Sequence, residues 1–315
     1  MPGLLPILRK ELADHFSSRR FAILFALVLI SGLGAAYVAA QSIREELTRT
    51  SDVATSVYLL VFTASNGTLP SFVTFIGFLG PLVGLALGFD AINGEQARGT
   101  LSRLLAQPIY RDSVINGKFL AGLITIGVLL VSITLLAMGL GIPLVGRLPS
   151  PDDLARLALF LALSIVYVGF WLAAAILFSL MFRQVATAAL AGVALWLVCA
   201  FFVGMLAGVV ADVAAPVSQD APALQVLRND EIRRAVARIS PTRLYAEATS
   251  IVMNPSRNTL SDLVLASEVR GMLPSPLPFL QSLLLVWPQV SGLVALTCVC
   301  FAISYIRFMR QEIRA

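Results

Sequence analysis

The sequence predicts an all-α integral membrane protein with six membrane-crossing helices, and three observations carry that prediction. Hydrophobic residues make up 58% of the 315 residues and charged residues only 13%, against about 45–50% and about 25% in ordinary soluble domains. The mean hydropathy is +0.86. The charges that remain gather at the ends of long charge-free runs, as the topology signals of membrane proteins do. The same numbers exclude a disordered chain and a small disulfide scaffold.

The elements follow in chain order. In residues 4–18, Leu4, Leu5, Leu8, Leu12 and Phe16 fall on one helical stripe while Arg9, Lys10 and Asp14 lie elsewhere. That is the pattern of a helix resting in the membrane interface. Crossing the hydrocarbon takes about 20 apolar residues, and a first span fits 21–40, between Arg20 and Arg44. The run 53–89 is free of charge, but Asn66-Gly67-Thr68 and Pro70 break it, so the second span is placed at 70–89. A third covers 119–145. Residues 154–210 hold two more, split at Arg183 and Gln184, and the sixth lies at 280–306 with a kink expected at Pro288.

Charge sets the orientation. With a cytoplasmic N-terminus, the inner segments hold Arg9, Lys10, Arg19, Arg20, Arg98, Arg103, Arg111, Lys118, Arg183, Arg307, Arg310 and Arg314. The short outer loops hold Arg44, Arg49, Arg147 and Arg156. This bias predicts a multi-pass protein of the cell membrane with both termini in the cytoplasm. The net charge of +5 is thus accounted for by topology, without nucleic acid. The segment 213–279 is then an outer layer with a helix around 223–239 and another opening at Ser240-Pro241, a good N-cap and first helical residue. Pro274, Pro276 and Pro278 close it.

Catalytic chemistry is not legible. The one Gly-Lys, Gly117-Lys118, is followed by Phe119, and Asp112 stands where a phosphate loop needs its first glycine. The single histidine, His15, has no partners for a metal site or an intramembrane protease. Asp152-Asp153 reads as the acidic first turn of a helix opened by Ser150-Pro151. Asp90 and Glu95 read as solvated acids at a helix end, the alternative being the lining of a gate. Cys199, Cys298 and Cys300 lie inside apolar runs and read as small buried residues. No catalytic residue and no metal ligand is predicted.

The inner loop 90–118 is richer. Gly99 permits a sharp turn, Thr100 can cap a short helix, and Pro108 ends it. Leu101, Leu104 and Leu105 share a face at spacings of three and four. Exposed leucines of this kind dock into a partner's groove, or else pack beneath the chain's own helices.

The run Glu95, Gly99-Thr100-Leu101, Leu104-Leu105, Pro108-Ile109 and Arg111, followed by Gly117-Lys118, resembles the first cytoplasmic loop of ABC-2-type ABC transporter permeases. Lys10-Glu11-Leu12, ahead of the first span, is similar to that family's elbow helix. Ile239-Ser240-Pro241 with Leu244-Tyr245, then Asn254-Pro255-Ser256, resembles a segment of its nitrous-oxide-reductase-maturation branch. The resemblance implies an elbow helix in 1–20 and a six-helix ABC-2 transmembrane domain in 21–315. It further implies a cytoplasmic coupling helix at 100–107 seated in a separate ATP-binding subunit, which holds ATP and magnesium while this chain binds no cofactor. Leu101, Leu104 and Leu105 would be the anchors, Gly99 the turn, and Glu95 with Arg98 the polar register. Lys10 and Glu11 would tie the elbow to the same surface. A second permease copy (identical or paralogous), membrane lipids and an extracytoplasmic partner complete the expected contacts. The chain would export a cargo or pass mechanical motion across the membrane. A membrane scaffold without ATP coupling is the rival reading.

Overall fold

The computed structural model describes residues 3–49, 57–65, 69–107, 109–146, 148–217, 222–254 and 278–311. Among the described residues the regular structure is entirely helical. Helix α1 (Leu4–Ser17) ends at Ser18, whose extended backbone hands the chain to α2 (Arg19–Arg49). A short α3 (Val57–Thr63) precedes α4 (Phe72–Gly88), α5 (Asn93–Ala97) and α6 (Thr100–Leu105). Two long helices follow, α7 (Arg111–Val145) and α8 (Pro151–Met181). Next, α9 (Val185–Leu197) runs through a π-helical turn (Val198–Phe202) into α10 (Val203–Ala214). Last come α11 (Ala223–Ala237), α12 (Pro241–Met253) and α13 (Phe279–Arg310).

Six of these units are long and apolar enough to cross a membrane: α2, α4 with the turns after it, α7, α8, α9–α10 and α13. They match the six predicted spans, with two informative differences. Helix α7 starts at Arg111, eight residues before the predicted 119, so Lys118 lies about two turns inside it. Helix α3 is unanticipated. Its Tyr58, Leu59, Val61 and Phe62 are buried, and Phe62 meets Phe72 edge to face at 5.2 Å. At seven residues it is too short to announce itself by periodicity.

Local signals explain the ends. The Ser150 hydroxyl accepts from the Asp153 amide (3.1 Å) while the Asp153 carboxylate accepts from the Ser150 amide (2.9 Å), a closed capping box with Pro151 at the first helical position. Asp152 pairs with Arg156 one turn on. Arg156 is buried there and also donates to the Val252 carbonyl and the Ser282 hydroxyl. Helix α13 is continuous through Pro288. Pro274 and Pro276 lie outside the described residues.

The bundle is built around α8, the most enclosed of the six. Gly80, Gly84 and Gly88 of α4 face it at four-residue intervals, and a methyl group on Gly84 would stand 2.6 Å from the Val168 carbonyl oxygen. Small residues let the two backbones touch, which is how apolar helices associate in lipid. Outward, α2, α9–α10 and α13 present Ile23, Ile30, Leu190, Phe201, Met205, Leu284 and Trp287, a surface suited to hydrocarbon.

The predicted outer segment contains its two helices at the expected positions, but α12 is not a layer above the spans. Leu244, Tyr245, Ala248, Val252 and Met253 are buried. Tyr245 stacks on Tyr167 of α8 at 4.2 Å and bonds to Ser164. The buried Ser240 hydroxyl donates to the Cys199 carbonyl inside the π-helical turn, 2.8 Å away. The turn between α11 and α12 therefore reaches back to about the middle of α9–α10, with α11 running along α10 and α12 packing on α8 and α13. The cause is one-sided apolar patterning, with Leu244, Ala248, Ile251 and Val252 on one stripe and Arg243 and Glu247 off it.

Candidate functional site

The predicted functional residues converge at the end of the bundle formed by α1, the segment 90–107 and the first turns of α7. Helix α1 lies along α7 with Ile7 set over Gly117, where any side chain would meet the isoleucine. Its leucine stripe is divided, with Leu5 and Phe16 exposed and Leu4, Leu8 and Leu12 half-buried, whereas Ile7 and Glu11 are the buried pair. A half-exposed stripe suits an interfacial helix, and the inward turn of Glu11 creates the site.

Glu11 and Glu95 are joined by two lysines into a closed ring. Lys10 lies 2.9 Å from Glu11 and 3.0 Å from Glu95. Lys118 lies 2.9 Å from each of the same carboxylates. Charge alternates around the ring, and its members come from α1, α5 and α7. The Lys118, Glu11 and Glu95 side chains are almost wholly shielded from solvent, while Lys10 is half-exposed. Burial of ions is tolerated when each has opposite charges in contact. One atom is left over: Glu95 Oε2 is buried without a hydrogen-bond partner.

The electrostatics of α1 follow from the ring. Burial opposes the charged form of Lys10, but hydrogen bonds and charge from Glu11 and Glu95 outweigh it and hold its pKa above the ordinary value. Burial likewise works against ionised Glu11. The charge and hydrogen bond of Lys118, then those of Lys10, win, and its pKa lies below the ordinary value. For His15 burial dominates over the nearby Glu11 and pushes the imidazole pKa down.

Around the ring, Arg20 reaches Asp90 at 2.6 Å and lies over the Phe89 ring. Asp90 and Glu95 are thus ion-paired, which corrects their reading as solvated helix-end acids. A cavity of about 360 Å³ opens beside the ring, bounded also by Asp14, His15, Arg20 and Arg98. On the other side Lys10 and Glu95 border a second groove of about 370 Å³ with Arg98, Thr100, Arg103 and Leu104.

The loop itself is pinned from below. The Ser179 hydroxyl of α8 accepts from the Ile92 and Asn93 amides (2.9 and 3.1 Å) and donates to Asn93 Oδ1. Asn93 Nδ2 in turn donates to the Phe182 carbonyl. Gly99 takes the left-handed conformation, φ +66°, which a glycine adopts without strain. The Thr100 hydroxyl donates to the Glu95 carbonyl, 3.1 Å, closing the end of α5 rather than capping α6. The predicted leucine face is divided: Leu101 is 1% exposed and packed inward, and Leu104 is half-buried against the core. The Leu105 side chain and Pro108 lie outside the described residues. Gln96, Ala97, Arg98, Thr100 and Arg103 form the exposed ridge. Arg111 is separate from it and donates to the Gln311 carbonyl beyond α13.

Lys118 is the site residue that pattern reading does not assign. A signal for it exists: Lys10 and Lys118 are the chain's only lysines, every other basic residue of the 23 being arginine. The Lys118 ammonium, a compact point charge with three donors, reaches both carboxylates at 2.9 Å.

Residues 5–313 match the family described as ABC-2 family transporter protein. The chain is 32% identical over 139 residues to the protein named "Probable ABC transporter permease protein NosY" of Pseudomonas aeruginosa, covering 44% of each. It is 33% identical over 141 residues to the protein of the same name from Stutzerimonas stutzeri, covering 42% of this chain and 46% of that one. The matched stretch spans less than half the length of either relative.

Proposed function

This chain belongs to the ABC-2 family of transporter permeases, and on that premise we propose that it receives the work of a separate ATP-binding subunit at α6. It is a multi-pass membrane permease and not itself an enzyme. In this reading both termini and the segment 90–107 lie in the cytoplasm, and α1 is the elbow and α6 the coupling helix. ATP and magnesium are held by the partner. The permease acts with a second copy or a paralogue. The partial likeness to the two NosY permeases, together with the Ser240-Pro241 segment, favours the nitrous-oxide-reductase-maturation branch.

The observation that carries the reading is the charge ring. A partner pressing on the exposed ridge at Gln96–Arg103 acts on Glu95, and Glu95 is bonded through two lysines to α1 and α7. Ser179 adds a second tie, from the base of the loop to α8. Displacement of the loop is thereby delivered to two long spans and the interfacial helix as one rigid group, the kind of coupling that rocks domains between two states. A scaffold with no ATPase would have no use for such a linkage.

Affinity purification of the native complex from membranes tests this. A stoichiometric ATP-binding subunit is expected with the wild-type chain and absent from the ridge variant Arg98→Glu/Arg103→Glu, both forms inserting normally. A preparation of the wild-type chain alone, or one in which the double variant retains the ATPase, overturns the assignment.

A further inference from the structure

A pocket of about 410 Å³ lies at the opposite end of the bundle, between α4, α12 and the π-helical turn, within the ~300–1,000 Å³ range of small-ligand sites. Its polarity is graded. Thr63 at the end of α3, Ser71 at the start of α4 and Asn254 just past α12 stand at the mouth. Phe78, Trp196 and Phe201 line it about midway along α9–α10, Trp196 buried and the two phenylalanines half-exposed toward the lipid side, with Phe78 and Trp196 edge to face at 5.0 Å. An aromatic wall open to the lipid side at membrane depth and a polar mouth toward the membrane surface match a molecule with one tail and one head.

The chemistry of the mouth narrows the head. Among the described residues no charged side chain lines this pocket, so a charged group entering it would lose water without gaining a counter-ion from them. Several hydroxyl protons are already spent inside the protein: Thr63 donates to the Leu59 carbonyl, Thr249 to that of Tyr245 and Ser250 to that of Glu247. Such hydroxyls retain lone pairs and act as acceptors. What they can take is a ligand that donates.

We propose that this pocket binds one alkyl chain of an uncharged amphiphile whose head carries hydroxyl groups, the class to which a monoacylglycerol belongs. The tail contacts Phe78, Trp196 and Phe201, and the head hydroxyls donate to Thr63 and Ser250. The site is independent of the ring and of ATPase coupling.

The test uses the full chain in phosphatidylcholine nanodiscs and a monoacylglycerol with a photoreactive group at the end of its alkyl chain, labelled peptides being mapped by mass spectrometry. Saturable labelling is expected at Phe78 and across 196–201, displaced by 1-monooleoylglycerol and at least tenfold less well by ionised oleate. Filling the pocket from its exposed wall by Ala246→Trp lowers labelling about tenfold. The Thr63→Val/Ser250→Ala pair weakens competition by monooleoylglycerol but not by methyl oleate, which has no hydroxyl. Non-saturable labelling equal to that around Trp287, on the exposed face of α13, would reduce the site to bulk lipid contact. Equal competition by oleate would overturn the neutral head. Labelling present in the monomer and lost on dimerisation would assign the pocket to a second copy of the chain.

Discussion

Lys118 Nζ lies 2.9 Å from Glu95 Oε1 and makes the same approach to Glu11, so one ammonium on α7 holds both the interfacial helix and the loop that precedes it. Position 118 is the buried basic corner of the ring, and its loss strands two carboxylates beside a half-exposed Lys10.

Lys118→Met is expected to destabilise the protein by about 3–5 kcal/mol, the usual cost of breaking a buried pair from one side. Adding Glu95→Gln removes one charge of each sign and should recover a substantial part of that loss, because Lys10 and Glu11 remain balanced. Thermal unfolding in detergent measures both. A double variant no more stable than the single one would mean that the ring does not act as a charge-balanced unit.

The docking of α1 should depend on pH at both extremes. His15 has a folded pKa below the ordinary 6.5, so its contribution is complete above 6.5 and declines as pH falls through the folded value. Glu11 behaves alike below the ordinary 4.5. Lys10 has a folded pKa above the ordinary 10.5, so its contribution holds below 10.5 and is lost as pH rises through the folded value. Amide exchange in α1, corrected for the intrinsic rate, should accordingly be slowest between 6.5 and 10.5 and rise on either side.

Gly99→Ala forces a side chain into the left-handed region at a cost of about 1–2 kcal/mol. Among the described residues no neighbouring atom lies within 4 Å of the added methyl, so against them the penalty is one of backbone conformation and not of collision. If α6 is the partner's seat and the unbound loop relaxes out of that conformation, the cost is met on binding, so ATPase affinity falls roughly 5- to 30-fold while the melting temperature barely moves. Gly99→Asn, which tolerates this conformation better, should fall between Ala and wild type in a binding titration.

Gly84→Leu would drive a side chain into the backbone of α8 at Val168 and Leu172. Overpacking of this kind costs typically about 1–3 kcal/mol, and with backbone as the obstacle the upper end is expected. A matched change at Gly139 of α7, where no atom lies within 4 Å of an added methyl, should be near neutral. Comparing the two melting temperatures separates helix contact from general effects of bulk in a span.

The six spans were legible because length and apolarity are all that crossing a bilayer requires, and the cap at Ser150 because it is local; Ser240 opens α12 as read, but its hydroxyl goes to the Cys199 carbonyl instead of capping the helix. Glu95 and Glu11 stood out through resemblance, but the inward turn of both could not be read from sequence. Their partner Lys118 looked like a boundary residue, since nothing local reveals that α7 begins at Arg111. The same limit hid the role of α12. Its amphipathic stripe was visible, while the cleft that receives it is made by α4, α8 and α13, distant in the chain. Leu101 illustrates the third difficulty, because a shared helical face does not say whether it turns toward a partner or toward the core.

The ring also imposes an order on biosynthesis. Glu11 and Lys10 leave the ribosome more than a hundred residues before Lys118, and Glu95 leaves between them. Until the start of the third span emerges, the two carboxylates have a single lysine to share, and the N-terminal helix lacks the contact that seats it against α7. A chain halted before residue 118 therefore keeps its first helix unlatched, so the finished position of the earliest segment reports that two spans are complete and the third has begun.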